Sequence, residues 1–114
     1  EPPLCKKIKT YVRSNLSRPM TLDSIAAALN VSRSTLCHTV RSEMNTSMIE
    51  LIRRMRVEKV VALLQDGWTL QAAALEAGFS SSSYCSRVFK QVLGAAPGAF
   101  AKAEKEGKEE LDKP

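Results

Sequence analysis

The chain has 114 residues, of which 44% are hydrophobic and 25% are charged, so it can form one small domain or two very small ones. No apolar run approaches the ~18 residues that a membrane-spanning helix needs, and we therefore expect no membrane partner. The 17 basic and 12 acidic residues give a net charge of +5, which favours a polyanionic partner.

The first predicted helix is amphipathic and follows two prolines. Apolar residues recur every four residues from Leu4 to Leu16, which predicts a helix that ends near Arg18-Pro19. The basic residues on its other faces indicate a solvated surface. Because the chain begins Glu1-Pro2-Pro3 without an initiator Met, we also expect it to have been cut from a longer protein.

The next two predicted helices are joined by a short turn. Thr21 is expected to cap a helix that runs to about Leu29, and Ser32 a helix that runs to about Glu43. Between them, Asn30-Val31 predicts a tight turn because Asn tolerates a left-handed backbone. This is the helix-turn-helix arrangement, whose second helix can lie in the major groove of DNA.

A long helix is predicted from Ser47 to Asp66. A capping box formed by Ser47 and Glu50 marks its start, and Gly67 marks its end. Its apolar residues form two stripes on opposite sides, Met48, Leu51, Ile52 and Met55 in the first half and Val57, Val60, Val61 and Leu64 in the second. One neighbouring body cannot cover both sides, so we predict a connecting helix between two subdomains. An ordinary helix buried on all sides is the alternative, which its charged residues disfavour.

The residues after this helix repeat the pattern of the first helix-turn-helix. Four pairs correspond at an offset of 48 or, after one inserted residue in the turn, 49: Thr21-Leu22 with Thr69-Leu70, Asn30-Val31 with Gly78-Phe79, Leu36 with Cys85, and Val40 with Phe89. The run from Ser80 to Ser83 is interpreted as a cap and first turn, with a flexible linker as the alternative. A short last helix is predicted from Pro97 through Phe100.

These patterns predict an all-α fold with about seven helices. Two helix-turn-helix subdomains, residues 1–46 and 67–101, are joined by the connecting helix, residues 47–66. Residues 102–114 mix Lys and Glu with almost no apolar residue, which predicts a charged, flexible tail.

Enzymatic chemistry is not predicted. The one histidine, His38, is adjacent to Cys37 on a predicted helix, so their side chains diverge by about 100° and cannot form a nucleophile and base pair. The sequence contains no Gly-rich phosphate loop or zinc-protease motif. Three cysteines without a Cys-x-x-Cys pair predict neither a disulfide framework nor a zinc site, and reduced thiols indicate the cytoplasm. We therefore expect no catalytic residues, no cofactor and no metal.

The second helix of each helix-turn-helix carries donor side chains among small residues on its outward face. These residues are Arg33, Ser34, Cys37, His38 and Arg41 in the first unit and Ser82, Ser83, Ser86, Arg87 and Lys90 in the second. Arginine can donate two hydrogen bonds to guanine, and small serines permit close approach to base edges. We therefore predict that these ten residues bind double-stranded DNA. A plain surface role for His38 and a redox role for Cys37 are the alternatives.

From about Leu4 to Phe100, the sequence resembles the DNA-binding domain of AraC/XylS-type bacterial transcription regulators. The matching stretches are Leu22-Asp23-Ser24-Ile25-Ala26, Val31-Ser32-Arg33-Ser34-Thr35-Leu36, Arg56, Ala74, Gly78-Phe79-Ser80, Tyr84, Ser86-Arg87-Val88-Phe89-Lys90, Gly94 and Pro97. The most specific feature is Gly78-Phe79 followed by Arg87-Val88-Phe89-Lys90. A single helix-turn-helix match would be a weak signal.

The resemblance implies two recognition helices that enter successive major-groove segments, contacts with RNA polymerase, and a separate sensing and dimerising domain before this one. By position, the residues that fall where the family reads bases are Ser34, Cys37, His38, Ser82, Ser83 and Arg87. The alternative is a helix-turn-helix-like module that binds protein rather than DNA.

Three residues are smaller than those the family usually has at the same positions. Val40 replaces a Phe, Cys85 replaces a Phe or Leu, and Ala73 replaces an Ile. Each loss of core volume destabilises by up to a few kcal/mol unless neighbours refill the space. Because two of the three lie in the second unit, we predict that it is the less stable half.

Overall fold

The computed structural model describes residues 2–100, and this part of the chain is helical without strands. Its helices are α1 (Pro3–Ser14), α2 (Leu22–Ala28), α3 (Arg33–Met44), α4 (Met48–Gln65), α5 (Leu70–Glu76) and α6 (Ser82–Leu93), followed by α7 (97–100). The prediction of an all-α fold with about seven helices is confirmed. The predicted tail, 102–114, lies outside the described residues. No helix in the described part is long and apolar enough to cross a membrane.

Helix α1 ends earlier than the sequence pattern predicts. The Asn15 side chain explains the difference, because its Nδ2 donates a hydrogen bond to the Tyr11 carbonyl oxygen at 2.7 Å. The backbone N–H of Asn15 meanwhile donates to the carbonyl oxygen of Val12. Carbonyls that a helix end leaves free are thereby satisfied. Leu16 lies beyond the helix and is still buried, so the periodicity identified a core residue and misplaced the helix end.

The chain divides into two compact units between Met55 and Arg56. The core of the first unit is formed by α1, α2, α3 and the start of α4, through Ile8, Val12, Leu16, Ile25, Ala26, Leu36, Val40, Met48, Leu51 and Met55. The core of the second unit contains Val57, Val60, Leu63, Leu64, Ala73, Ala74, Ala77, Phe79, Cys85, Val88 and Phe89. Phe100 of α7 packs on this second core, with its ring 5.3 Å from that of Phe89.

Helix α4 contributes to both cores, as the two stripes in its sequence predict. Met48, Leu51 and Met55 pack in the first core, with Ile52 beside them, whereas the stripe that begins at Val57 packs in the second. The alternative of one helix buried on all sides is therefore wrong. The capping box at its start is half formed: the Glu50 N–H donates to Ser47 Oγ at 3.2 Å, while the Glu50 carboxylate accepts from Arg53 at 3.0 Å.

The two turns that join α2 to α3 and α5 to α6 have the same backbone hydrogen bonds. These bonds run from the N–H of Val31 to Ala26 (3.0 Å) and of Asn30 to Ala27 (3.2 Å), and from the N–H of Phe79 to Ala74 (2.9 Å) and of Gly78 to Leu75 (3.1 Å). Asn30 and Gly78 both have positive φ angles, 58° and 96°. This pair of bonds around one left-handed residue is the Schellman motif. The predicted repeat at an offset of 48 is thus present in the backbone.

The helices of both turns also begin alike. At the start of each helix, the hydroxyl oxygen of a Thr or Ser cap accepts a hydrogen bond from the backbone N–H three residues later. The pairs, donor first, are Ser24 and Thr21, Thr35 and Ser32, Ala72 and Thr69, and Tyr84 and Ser81. Such caps satisfy N–H groups that lack a partner within the helix. Because Ser81 is a cap and α6 starts directly after it, the linker alternative for the serine run is wrong.

Candidate nucleic-acid interface

Helix α3 presents one polar side and one apolar side. Leu36 and Val40 are fully buried in the first core. Four of the predicted binding residues on this helix are exposed, namely Arg33, Ser34, His38 and Arg41. Cys37, which the sequence places on the outward face, is only partly exposed and lies at the edge of that face, next to buried Leu36. The remaining four side chains form a surface with two guanidinium groups and one imidazole.

Helix α6 is arranged in the same way. Cys85, Val88 and Phe89 are buried. On the opposite side the exposed residues are Ser83, Arg87 and Lys90, and the partly exposed ones are Ser82 and Ser86. The sequence prediction therefore names residues that the structure brings onto one outward side of α6. Two long cations lie among three small hydroxyl side chains, which leaves the helix backbone accessible to a partner.

One acidic side chain lies next to the donor surface of α3. Arg33 Nη1 is 3.7 Å from Asp23 Oδ1, which is in the first turn of α2. Both side chains are largely exposed, at 61% and 79%, so this ion pair is weak and solvent-screened. Arg33 is therefore held near α2 and can still exchange this carboxylate for another anion.

The sequence prediction missed Tyr84 as a candidate, although it counted this residue in the family resemblance. The side chain is 38% exposed in the first turn of α6, one residue from Ser83. Its ring meets that of Phe79 edge to face at a centroid distance of 6.0 Å. Arg56 lies near enough to interact with it: burial lowers the pKa of Arg56, and Tyr84 partly opposes that effect. The signal that could have identified Tyr84 is an aromatic residue in the first turn of α6, one residue after Ser83.

The thiols differ in their surroundings. Cys85 is fully buried, and burial raises its pKa to about 11, so at neutral pH it is a protonated core side chain. This confirms the apolar role expected from its position. Cys37 is a free thiol. No group of three or more metal-ligating side chains occurs within residues 2–100.

Comparison with known protein families gives a match over residues 25–103 to the model described as "Helix-turn-helix domain". The chain is similar to the HTH-type transcriptional activator CfaD of Escherichia coli, with 34% identity over 82% of this chain and 36% of that protein. It is also similar to a putative AraC-like transcription regulator of Streptomyces antibioticus, with 32% identity over 88% of this chain and 33% of that protein. The chain thus spans about a third of the length of these relatives.

Two solved structures share the fold. The C-terminal domain of AraT, a response regulator from Geobacillus stearothermophilus, superimposes with a TM-score of 0.80 and 28% identity over 90% of this chain and 86% of that chain. The DNA-binding domain of AdpA, in complex with a target DNA, superimposes with a TM-score of 0.80 over 93% of this chain and 96% of that chain. At 22% identity, the second likeness concerns the fold.

Proposed function

The chain belongs to the AraC-type helix-turn-helix family, and on that premise we propose that it binds specific sequences in double-stranded DNA and thereby regulates bacterial transcription. The observation that carries the proposal is that both helix-turn-helix units have the same hydrogen bonds in their turns and at their helix starts. These bonds give α3 and α6 the same start, the same length and the same buried side, and they leave an outward donor surface on each helix. Two equivalent surfaces suit two segments of a DNA major groove.

The side chains divide into base readers and phosphate contacts. Arg87, in the middle of α6, can donate two hydrogen bonds to guanine O6 and N7, and Ser83 one turn earlier can donate to a neighbouring base. Lys90 is one turn later and suits a phosphate. The division on α3 follows the same logic: Ser34 and His38 lie in the middle of the donor surface and face bases. The remaining proposed contacts are Arg33, Cys37, Arg41, Ser82 and Ser86.

Further features of the proposal come from the family. The chain is the DNA-binding part of a longer cytoplasmic regulator, in which a separate domain senses an effector and pairs two copies. Recognition helices α3 and α6 enter successive major-groove segments, and the bound protein contacts RNA polymerase. The relatives' lengths support a longer protein, since this chain matches about a third of each.

The test is selection of bound sequences from a random duplex pool at two salt concentrations. Enrichment of two short motifs about 10 base pairs apart is expected if both helices read bases. His38→Ala should erase one motif and Arg87→Ala the other, while a surface substitution outside both helices, Glu58→Ala, should leave both. Binding without any enriched sequence would contradict the proposal. Absence of DNA binding at low salt would favour the protein-binding module instead.

A further inference from the structure

An open cleft of about 610 Å³ runs along the outer side of α1 in the first unit. Its lining is almost entirely apolar, although most of the contributing residues are polar. Its lining residues include Lys6, Lys7, Thr10, Tyr11, Ser14 and Leu29. Leu29 follows the last residue of α2, so the cleft lies between the outside of α1 and the end of α2.

The walls of the cleft are held in place by contacts within the unit. Tyr11 and Leu29 are both partly buried and pack against the first core. The carbonyl oxygen of Tyr11 accepts the hydrogen bond from Asn15, and the N–H of Leu29 donates to the carbonyl oxygen of Ile25 at 3.0 Å. The cleft is therefore preformed, and a partner would not have to order it on binding.

The spacing of the lining residues suits a helical partner. On α1 they recur from Pro3 to Ser14 at intervals of three and four residues, which places them in one stripe along the whole helix. Such a stripe is about 16 Å long, the length of about three helical turns. Thr10 and Ser14 are small and permit a second helix to approach closely. A helix lying along α1 would therefore contact the stripe over its full length.

The charge of α1 specifies the chemistry of that partner. The helix contains four basic residues, Lys6, Lys7, Lys9 and Arg13, and no acidic one. Lys6 and Lys7 are exposed, line the cleft and make no ion pair within residues 2–100. Because a lysine stem is apolar and its ammonium group stays in water, these side chains form an apolar wall with a cationic edge.

This surface is separate from the proposed DNA interface. Both α1 and α3 turn their apolar sides to the same core, so the outer side of α1 and the donor surface of α3 point in different directions. A DNA phosphate backbone bound here would pair with the lysine charges but would make no apolar contact with Tyr11 and Leu29. An acidic amphipathic helix would pair with the lysine charges and also contact these two apolar side chains.

We propose that the α1 cleft binds an acidic amphipathic helix of a partner protein. Its apolar side chains lie against Tyr11 and Leu29, and its Glu or Asp side chains pair with Lys6 and Lys7. The inference goes beyond DNA binding and does not depend on it, because no residue of the cleft belongs to the proposed DNA interface.

The test uses the full chain and a synthetic helical peptide of about 14 residues, which matches the length of the cleft. Leu residues at every third or fourth position form one side of the peptide, and Glu residues flank them. Two control peptides carry Lys in place of each Glu or the same residues in scrambled order. Binding is followed by fluorescence anisotropy, and the site is mapped by amide chemical shifts. DNA binding is measured in parallel.

We expect saturable one-to-one binding of the acidic peptide with Kd in the range of ~1–100 µM, and shifts confined to α1 and the end of α2. The double variant Lys6→Glu/Lys7→Glu should weaken it about tenfold or more, since both charges then repel the peptide. The matched control Arg54→Glu/Lys59→Glu, which changes two exposed cations of α4 instead, should bind the peptide normally.

Four results would overturn the proposal. They are failure of the acidic peptide to bind, equal binding of either control peptide, shifts that map outside the cleft, and self-association of the chain through this surface. A loss of DNA affinity in Lys6→Glu/Lys7→Glu far beyond that of the control pair would also contradict it, because the lysines would then grip phosphates. Normal peptide binding in a chain that does not bind DNA would refute only the DNA proposal.

Discussion

Asn30 and Gly78 occupy equivalent places in the two turns, 48 residues apart, and both have left-handed backbone conformations. Their φ angles are 58° and 96°. Asparagine is among the few residues with a side chain that adopts the first angle readily, whereas glycine alone reaches the second without strain. The same hydrogen bonds are thus formed around two different residues, and the second turn depends more strongly on its residue type.

Gly78→Ala should destabilise the second unit. A Cβ group at φ 96° introduces strain of about 1–3 kcal/mol, and the free energy of unfolding should fall by that amount in urea denaturation. Gly78→Asn is the matched control and should be less harmful, because Asn30 closes the equivalent turn. Equal stability of Gly78→Ala and the unchanged protein would show that the turn relaxes to another conformation.

Arg87→Ala should reduce both affinity and specificity. If Arg87 reads a guanine, its loss raises the binding free energy by about 1–3 kcal/mol on the preferred sequence and relaxes discrimination at one base pair. Lys90→Ala, one turn away on the same side, should instead weaken binding to all sequences alike and lower the salt dependence by about one phosphate contact. Competition titrations with single-base variants of the selected site separate the two. A uniform loss in Arg87→Ala would reassign this residue to a phosphate.

Asp23→Asn should strengthen DNA binding. The substitution removes the carboxylate that lies 3.7 Å from Arg33. The Arg33 guanidinium then no longer has to break an ion pair with Asp23 before it contacts a DNA phosphate. An exposed pair contributes about 0.2–1 kcal/mol, which corresponds to a gain of up to about fivefold in affinity at low salt. In an Arg33→Ala background the gain should disappear. If it persists there, the effect comes from net charge and not from the pair.

The second unit should lose stability as the pH rises above about 9. Burial raises the pKa of Cys85 to about 11 in the folded chain, above the ordinary thiol value of about 8.5. The neutral thiol therefore stabilises the folded state fully below the unfolded pKa, and this contribution is lost as the pH approaches 11. Urea denaturation of the unchanged chain and of Cys85→Ala, compared from pH 7.5 to 10.5, isolates the effect. Parallel pH dependences would contradict it.

Amides of α5 and α6 should exchange with solvent faster than those of α2 and α3. Ala73 and Cys85 are both fully buried in the second core, and the family resemblance implies larger residues at both positions. Val40 is a similar reduction in the first core, so the expected difference rests on one additional small residue in the second. Hydrogen exchange measured residue by residue gives the comparison directly. Faster exchange in the first unit would contradict the prediction.

Local signals in the sequence predict most of this fold, because each has a physical cause within a few residues. Thr21 and Ser81 cap helices, and Asn30 and Gly67 are left-handed, as their residue types indicate. The two apolar stripes of α4 could be predicted because the helical period alone determines on which side of a helix each residue lies. The outward faces of α3 and α6 follow from the same helical period, and the binding of DNA by the residues on them stays a prediction.

The features that sequence reasoning missed depend on side chains that have a choice of partner. Asn15 turns back to Tyr11 and ends α1 early, and Glu50 pairs with Arg53 instead of completing its capping box. Helical periodicity does not show which of several possible partners a polar side chain bonds to. The α1 cleft was also missed, since most of the residues that line it count as polar in a hydrophobic pattern.

Within residues 2–100, neither core contains a buried polar or charged residue. Contact between apolar side chains has no preferred direction, so such cores accept exchanges among apolar residues that keep the total core volume. Hydrogen bonds do require a fixed geometry, and hydroxyl groups form such bonds at the starts of α2, α3, α5 and α6. Over evolutionary time the apolar residues can therefore drift while these starts persist. In distant relatives, Thr or Ser at the positions of Thr21, Ser32, Thr69 and Ser81 should be a more durable signature than any core residue.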